Sequence, residues 1–118
     1  MSAAPHASDA LARIEDARER TARRISDLID AFDAIVASSE AANPDDEHDP
    51  EGATVGFERA QVWALLESAR AQLAELAAAS DRIQGGSYGA CEVCGGPIAA
   101  ERLAAQPAAR ACVGCASR

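Results

Sequence analysis

Two Cys-x-x-Cys pairs, Cys91/Cys94 and Cys112/Cys115, are the side chains of this 118-residue chain whose types and spacing point most directly to chemistry. Seventeen residues separate the inner two cysteines. Closely spaced thiolates supply adjacent corners of a tetrahedron, and an intervening loop carries the second pair round to complete it. Gly95 and Gly96 after the first pair, and Gly114 inside the second, permit the tight turns such a site needs. The spacing predicts one structural Zn2+ held by Cys91, Cys94, Cys112 and Cys115. A redox dithiol of the thioredoxin type would need a surrounding βαβ pattern, which this sequence lacks. A disulfide framework would need an oxidising compartment, and Met1 to Asp9 has neither the basic nor the apolar region of a secretion signal. Reduced thiols in the cytoplasm are therefore expected. Four cysteine ligands leave no open position on zinc, and no nucleophile–base pair is evident, so no enzymatic activity is expected.

Composition narrows the partners. Nineteen acids against eleven arginines, with no lysine, give a formal charge of −8. An acidic chain without a basic cluster is a poor ligand for phosphates, and only Arg102, Arg110 and Arg118 follow Arg82. Sequence-specific DNA binding is not expected, nor is attraction to anionic lipid. Charges interrupt every apolar run well short of the ~18 residues that would mark a membrane span. Alanine supplies much of the apolar fraction and the aromatic residues are only Phe32, Phe57, Trp63 and Tyr88, so a thick globular core is unexpected. Alanine has the highest helix propensity, and small side chains suit close helix packing.

The elements that must position the cysteines are helical. Residues 1–8 read as a flexible start, with Ser8 or Asp9 as a helix cap. A heptad-like seam then runs through Leu11, Ile14, Arg18, Thr21, Ile25, Leu28, Phe32 and Ile35. A second runs through Val55, Arg59, Val62, Leu66, Ala69, Leu73, Leu76, Ser80 and Ile83, and Gly85 and Gly86 stop it. Each helix is about 30 residues, or roughly 45 Å. Folding them on each other covers both stripes. The fold class read from this pattern is all-α: an antiparallel two-helix coiled-coil hairpin over 9–84 and a small four-cysteine zinc finger over 85–118. The alternative is that the helices pair between chains and make a dimer. The turn-rich segment between the seams favours the hairpin and a monomer.

That segment, 38–54, reads SSEAANPDDEHDPEGAT and carries six acids with no basic residue. Pro44 and Pro50 exclude an uninterrupted helix, so it forms an acidic tip. It is not a calcium loop. Counted from Asp45, the sixth position is Pro50 where an EF-hand needs Gly, and the twelfth is Gly56 where it needs Glu. Between the cysteine pairs, Pro97 to Ala105 reads as a short helix with Pro in its first turn. Ile98 and Leu103 would cover the metal site, and Arg102 would bond a nearby carbonyl or thiolate or lie on the surface.

Taken in order, Gly86-x-Tyr88-Gly89-x-Cys91-x-x-Cys94-Gly95-x-x-Ile98, then Arg102-Leu103-x-Ala105-x-Pro107, then Cys112-x-x-Cys115, resemble the DksA/TraR zinc-finger family of bacteria. The resemblance implies a transcription regulator that binds RNA polymerase rather than promoter DNA, placing the tip of a coiled-coil hairpin in the enzyme's secondary channel. It implies that Tyr88, Ile98, Arg102 and Leu103 support the finger. It also implies that Asp45, Asp46, Asp49 and Glu51 form the partner-binding tip. The family's tip pattern is Asp-x-x-Asp-x-Ala; Asp46 and Asp49 supply its acids, whereas Glu51 stands where Ala is usual and Pro50 intervenes. Longer members carry a helix after the last cysteine, so the guanosine tetraphosphate contact that uses it is not expected here. Two other readings stay open: a nucleic-acid-binding zinc module, and a redox- or zinc-responsive switch in which oxidation ejects the metal.

Overall fold

The computed structural model describes residues 4–41 and 50–117, with the side chains of 7–39 and 54–117. Four helices follow in order: α1 Ala4–Ala41, α2 Pro50–Gly85, α3 Ala100–Ala105 and α4 Val113–Ala116. Among the described residues there is no strand, and the sole β feature is a bridge pairing Ala90 with Pro97 antiparallel. The chain is all-α, built on two long helices that pack together and ends in a small cysteine-bearing module. No described helix is long and apolar enough to cross a membrane.

Helix α1 starts at Ala4, ahead of the expected cap, so Ser8 and Asp9 lie within it. Ala4 and Pro5 open it, and proline is tolerated in a first turn because its missing N–H would be unpaired there anyway. The same reason places Pro50 at the first position of α2. The helices therefore extend into the 38–54 segment from both sides. Tip residues Asp45, Asp46, His48 and Asp49 lie outside the described residues; Glu51 falls in the first turn of α2, its side chain likewise outside them.

The polypeptide divides into two compact units, residues 1–20 with 73–118, and residues 21–72. In the first, Ile14 and Leu76 are fully buried and pack with Ala17 and Ala79. Ile83, Tyr88 and Ala108 close over this cluster. Here the expected seam holds at Ile14 and Leu76 but moves by one residue on either side of Ile14. Ala10 and Ala17 are buried, whereas Leu11 is 37% exposed and Arg18 is half-buried beside Glu15. A methyl side chain lets backbones approach, and the larger neighbours are turned outward. In the second unit, Thr21, Ile25, Leu28, Phe32 and Ile35 form a half-buried stripe along α1, and on α2 Val62 is half-buried and Leu66 buried. Phe32 and Trp63 meet in a tilted pair, ring centroids 5.8 Å apart. Such pairs contribute about 0.5–1.5 kcal/mol beyond area burial. Arg59 is exposed despite its place in the expected seam.

Gly86 ends α2 with φ +82, the left-handed conformation only glycine adopts readily. Its N–H donates to Ile83 O at 3.2 Å and Ser87 N–H reaches back to Arg82 O at 2.9 Å. These are the two bonds of a Schellman cap. The chain is thereby turned at a fixed angle into the cysteine module.

Candidate metal centre

Two backbone knuckles present the sulfur atoms. In the first, Cys91 N–H donates to Gly96 O at 2.8 Å and Gly95 N–H to Cys91 O at 3.0 Å, with Gly95 at φ +75. Gly96 N–H points at Cys94 Sγ, 3.4 Å away. The bridge from Ala90 to Pro97 and the bond from Ile98 N–H to Gly89 O, 2.8 Å, close this turn. Pro97 is therefore part of the turn, and α3 begins only at Ala100, three residues later than the sequence implied. In the second knuckle, Cys112 sits immediately before α4 and accepts N–H bonds from Cys115 and Ala116. Glu92 N–H donates to Arg110 O at 2.9 Å, tying one knuckle to the other.

The four Sγ atoms lie within 4.8 Å of one another. Cys94 and Cys112 Sγ are 3.9 Å apart, and all four thiols are free. A tetrahedron with Zn–S bonds of ~2.3 Å has edges of about 3.8 Å. The cysteines are thus positioned to bind one metal ion. Their proton chemistry fits a cation. Backbone N–H groups, those of Cys94 foremost and Cys112 next, hold the Cys91 thiol down at about 6. The Cys112 side chain and burial push Cys115 up to about 12. Crowded sulfurs cannot all ionise alone; a divalent ion at their centre would allow it.

The surroundings hold the knuckles in register. Cys91, Ile98 and Leu103 form a buried cluster against which Tyr88, Ala109 and Ala111 pack. Arg102 Nε donates to Ala111 O at 2.8 Å, beside Cys112, and Tyr88 O–H donates to Pro107 O at 2.8 Å. The Tyr88 hydroxyl is pushed above its ordinary pKa by burial, against the pull of nearby Arg13 and Arg82. Arg110, which no motif singles out, bridges Glu75 of α2 at 2.6 Å and Glu92 of the first knuckle at 2.7 Å. Its hydrogen bond holds the Glu75 carboxyl below the usual range, and the two carboxylates raise Arg110 in turn. Sequence spacing could not reveal this clasp, because its acids lie 35 and 18 residues away.

Residues 86–118 match the prokaryotic dksA/traR C4-type zinc finger. The C-terminal module is a zinc finger of the DksA/TraR type. The DksA/TraR finger sits on a backbone similar to that of the transcription factor DksA2 from Pseudomonas aeruginosa, with a TM-score of 0.58 and 24% identity. That likeness covers 91% of this chain and 82% of the other, so the two share a fold well beyond the finger. By sequence, no curated protein matches the chain.

Proposed function

We propose that this protein is a bacterial transcription regulator that binds RNA polymerase directly. A helical hairpin over 9–84 enters the secondary channel, and the module over 85–118 fixes its two ends through zinc on Cys91, Cys94, Cys112 and Cys115. The observation that carries this reading is the pairing of a DksA/TraR-type finger with the fold of a transcription factor over 91% of the chain. Zinc is structural: with four sulfur donors it has no open position for a substrate, and the protein turns nothing over. The chain works in the cytoplasm, where polymerase and reduced thiols are found together.

Charge supports a protein partner with a basic channel. A net −8 steers the chain toward positive surfaces and away from nucleic acid. Arg102 and Arg110 are already bonded to Ala111 O, Glu75 and Glu92, which weakens the reading as a nucleic-acid module. Asp45, Asp46, Asp49 and Glu51 are the tip residues of this proposal, and they modulate initiation once the hairpin is seated.

The test is a pull-down of the zinc-loaded chain with purified polymerase, competed by another secondary-channel ligand, alongside transcription in vitro. Asp46→Asn with Asp49→Asn should abolish the effect on initiation and leave polymerase binding within about twofold. A double variant that regulates like the parent would remove the tip assignment. Failure of the parent to bind polymerase would remove the whole reading.

A further inference from the structure

The first turns of α1, the end of α2 and the finger enclose a cleft of about 610 Å³, all of it within the unit of residues 1–20 and 73–118. Small-molecule sites typically span ~300–1,000 Å³. The walls are largely apolar, with Ala10, Ile83, Ile98 and Leu103 among them. Asp9 and Arg13 are the charged side chains that line it. Arg13 Nε is buried and has no hydrogen-bond partner among the described residues. Nor does its guanidinium form an ion pair among them, although Asp9 stands one helical turn before it. Other polar groups of this unit are occupied: Arg82 donates to Ala108 O, Arg102 to Ala111 O and the Tyr88 hydroxyl to Pro107 O. A buried guanidinium donor left without an acceptor is costly, and a charge-assisted bond to an anion is among the strongest ways to satisfy it.

We propose that this cleft binds a small molecule carrying one carboxylate on an aliphatic or aryl body. The carboxylate bonds the Arg13 guanidinium, and the body lies against Ile83 and Leu103. Arg13 is the one cation lining the cleft and Asp9 the one anion, so the site accommodates a single added negative charge on Arg13 and disfavours several. A polyphosphate would find one cation for its charges and an opposing carboxylate. A neutral apolar molecule would fill the volume and leave the Arg13 guanidinium without an anion. The site stands independently of polymerase binding, since it uses neither the tip nor the cysteines.

The probe is octanoate, titrated into the full zinc-loaded chain and followed by methyl and amide NMR, with octan-1-ol as the uncharged comparison. Octanoate should bind saturably, shift the Ile83 and Leu103 methyl signals, and bind at least tenfold more tightly than octan-1-ol. Arg13→Gln should remove that tenfold difference. Ala104→Phe, which fills the cleft from α3 and leaves Arg13 in place, should weaken both ligands at least tenfold. Arg24→Gln, an exposed arginine elsewhere on α1, should change neither. The proposal is overturned if neither probe saturates at millimolar concentration, if both bind the parent equally, or if the shifts map outside the cleft. It is also overturned if ATP displaces octanoate at lower concentration than octanoate itself binds. Should Arg13→Gln fail to retain zinc, the parent comparison and Ala104→Phe still decide.

Discussion

Replacing Leu76 with alanine should cost more stability than any exposed apolar truncation in the chain. Leu76 is fully buried against Ile14, Ala17 and Ala79. The substitution removes three carbons, worth roughly 2.4 kcal/mol at ~0.8 kcal/mol for each buried methylene. A cavity penalty adds to this, and Leu→Ala changes in cores span about 2–5 kcal/mol. Two of the three buried neighbours are alanines, whose methyl groups have no rotamer with which to fill the gap, so a loss of about 3–4 kcal/mol is expected. Unfolding entropy of about 2.1 cal/mol/K per residue gives roughly 0.25 kcal/mol/K for a chain of this size, so Tm should fall by about 12–16 °C. Leu65, 40% exposed, provides the control, and Leu65→Ala should stay within about 1 kcal/mol of the parent. Circular dichroism melts of the zinc-loaded proteins read both. Tyr88 and Ala108 of the finger lie on the same cluster, so Leu76→Ala should also hasten zinc transfer to a chromogenic chelator. A Leu76→Ala melt within about 4 °C of the parent, or an equal loss from Leu65→Ala, would refute the packing argument.

The backbone cap makes a sharper pair of expectations. Gly86→Ala should cost about 1–2 kcal/mol because φ +82 is left-handed, although no atom lies within 4 Å of the added methyl. Gly85→Ala meets equally open space inside the helix and should stabilise by about 0.4–1 kcal/mol, measured in the same urea titration. Arg110→Ala removes the clasp to Glu75 and Glu92; all three side chains are more than a third exposed, so the cost should stay near 1 kcal/mol and shrink in high salt. Glu75 has a folded pKa below its ordinary 4.5, so its contribution is present above that value and lost as pH falls beneath it; a parent-minus-Glu75→Gln stability difference that grows in acid would contradict this sign. Cys91→Ser should lower bound metal from about one zinc per chain to near none by elemental analysis, and excess chelator should loosen the finger while sparing most helical signal.

The cysteine spacing and both helical stripes are legible in the sequence because each is a local, periodic property. Cys-x-x-Cys needs only a four-residue knuckle with glycine beside it, and Thr21 to Ile35 and Val62 to Ile83 repeat at the interval a paired helix requires. Gly86 likewise announces a helix end wherever it falls, since its left-handed turn depends on its own missing side chain. The tertiary structure alone decided which of two adjacent residues turns inward around the Ile14–Leu76 cluster. Leu11 and Arg18 have the size that periodicity rewards, whereas Ala10 and Ala17 have the smallness that contact demands. It alone drew Pro97 into the first knuckle, through Ala90, rather than leaving it to open a helix. Arg110 between Glu75 and Glu92, Arg102 on Ala111 O, and the buried Nε of Arg13 are equally products of the fold. Each depends on groups brought together across long stretches of chain, and a one-dimensional pattern carries no record of such distances.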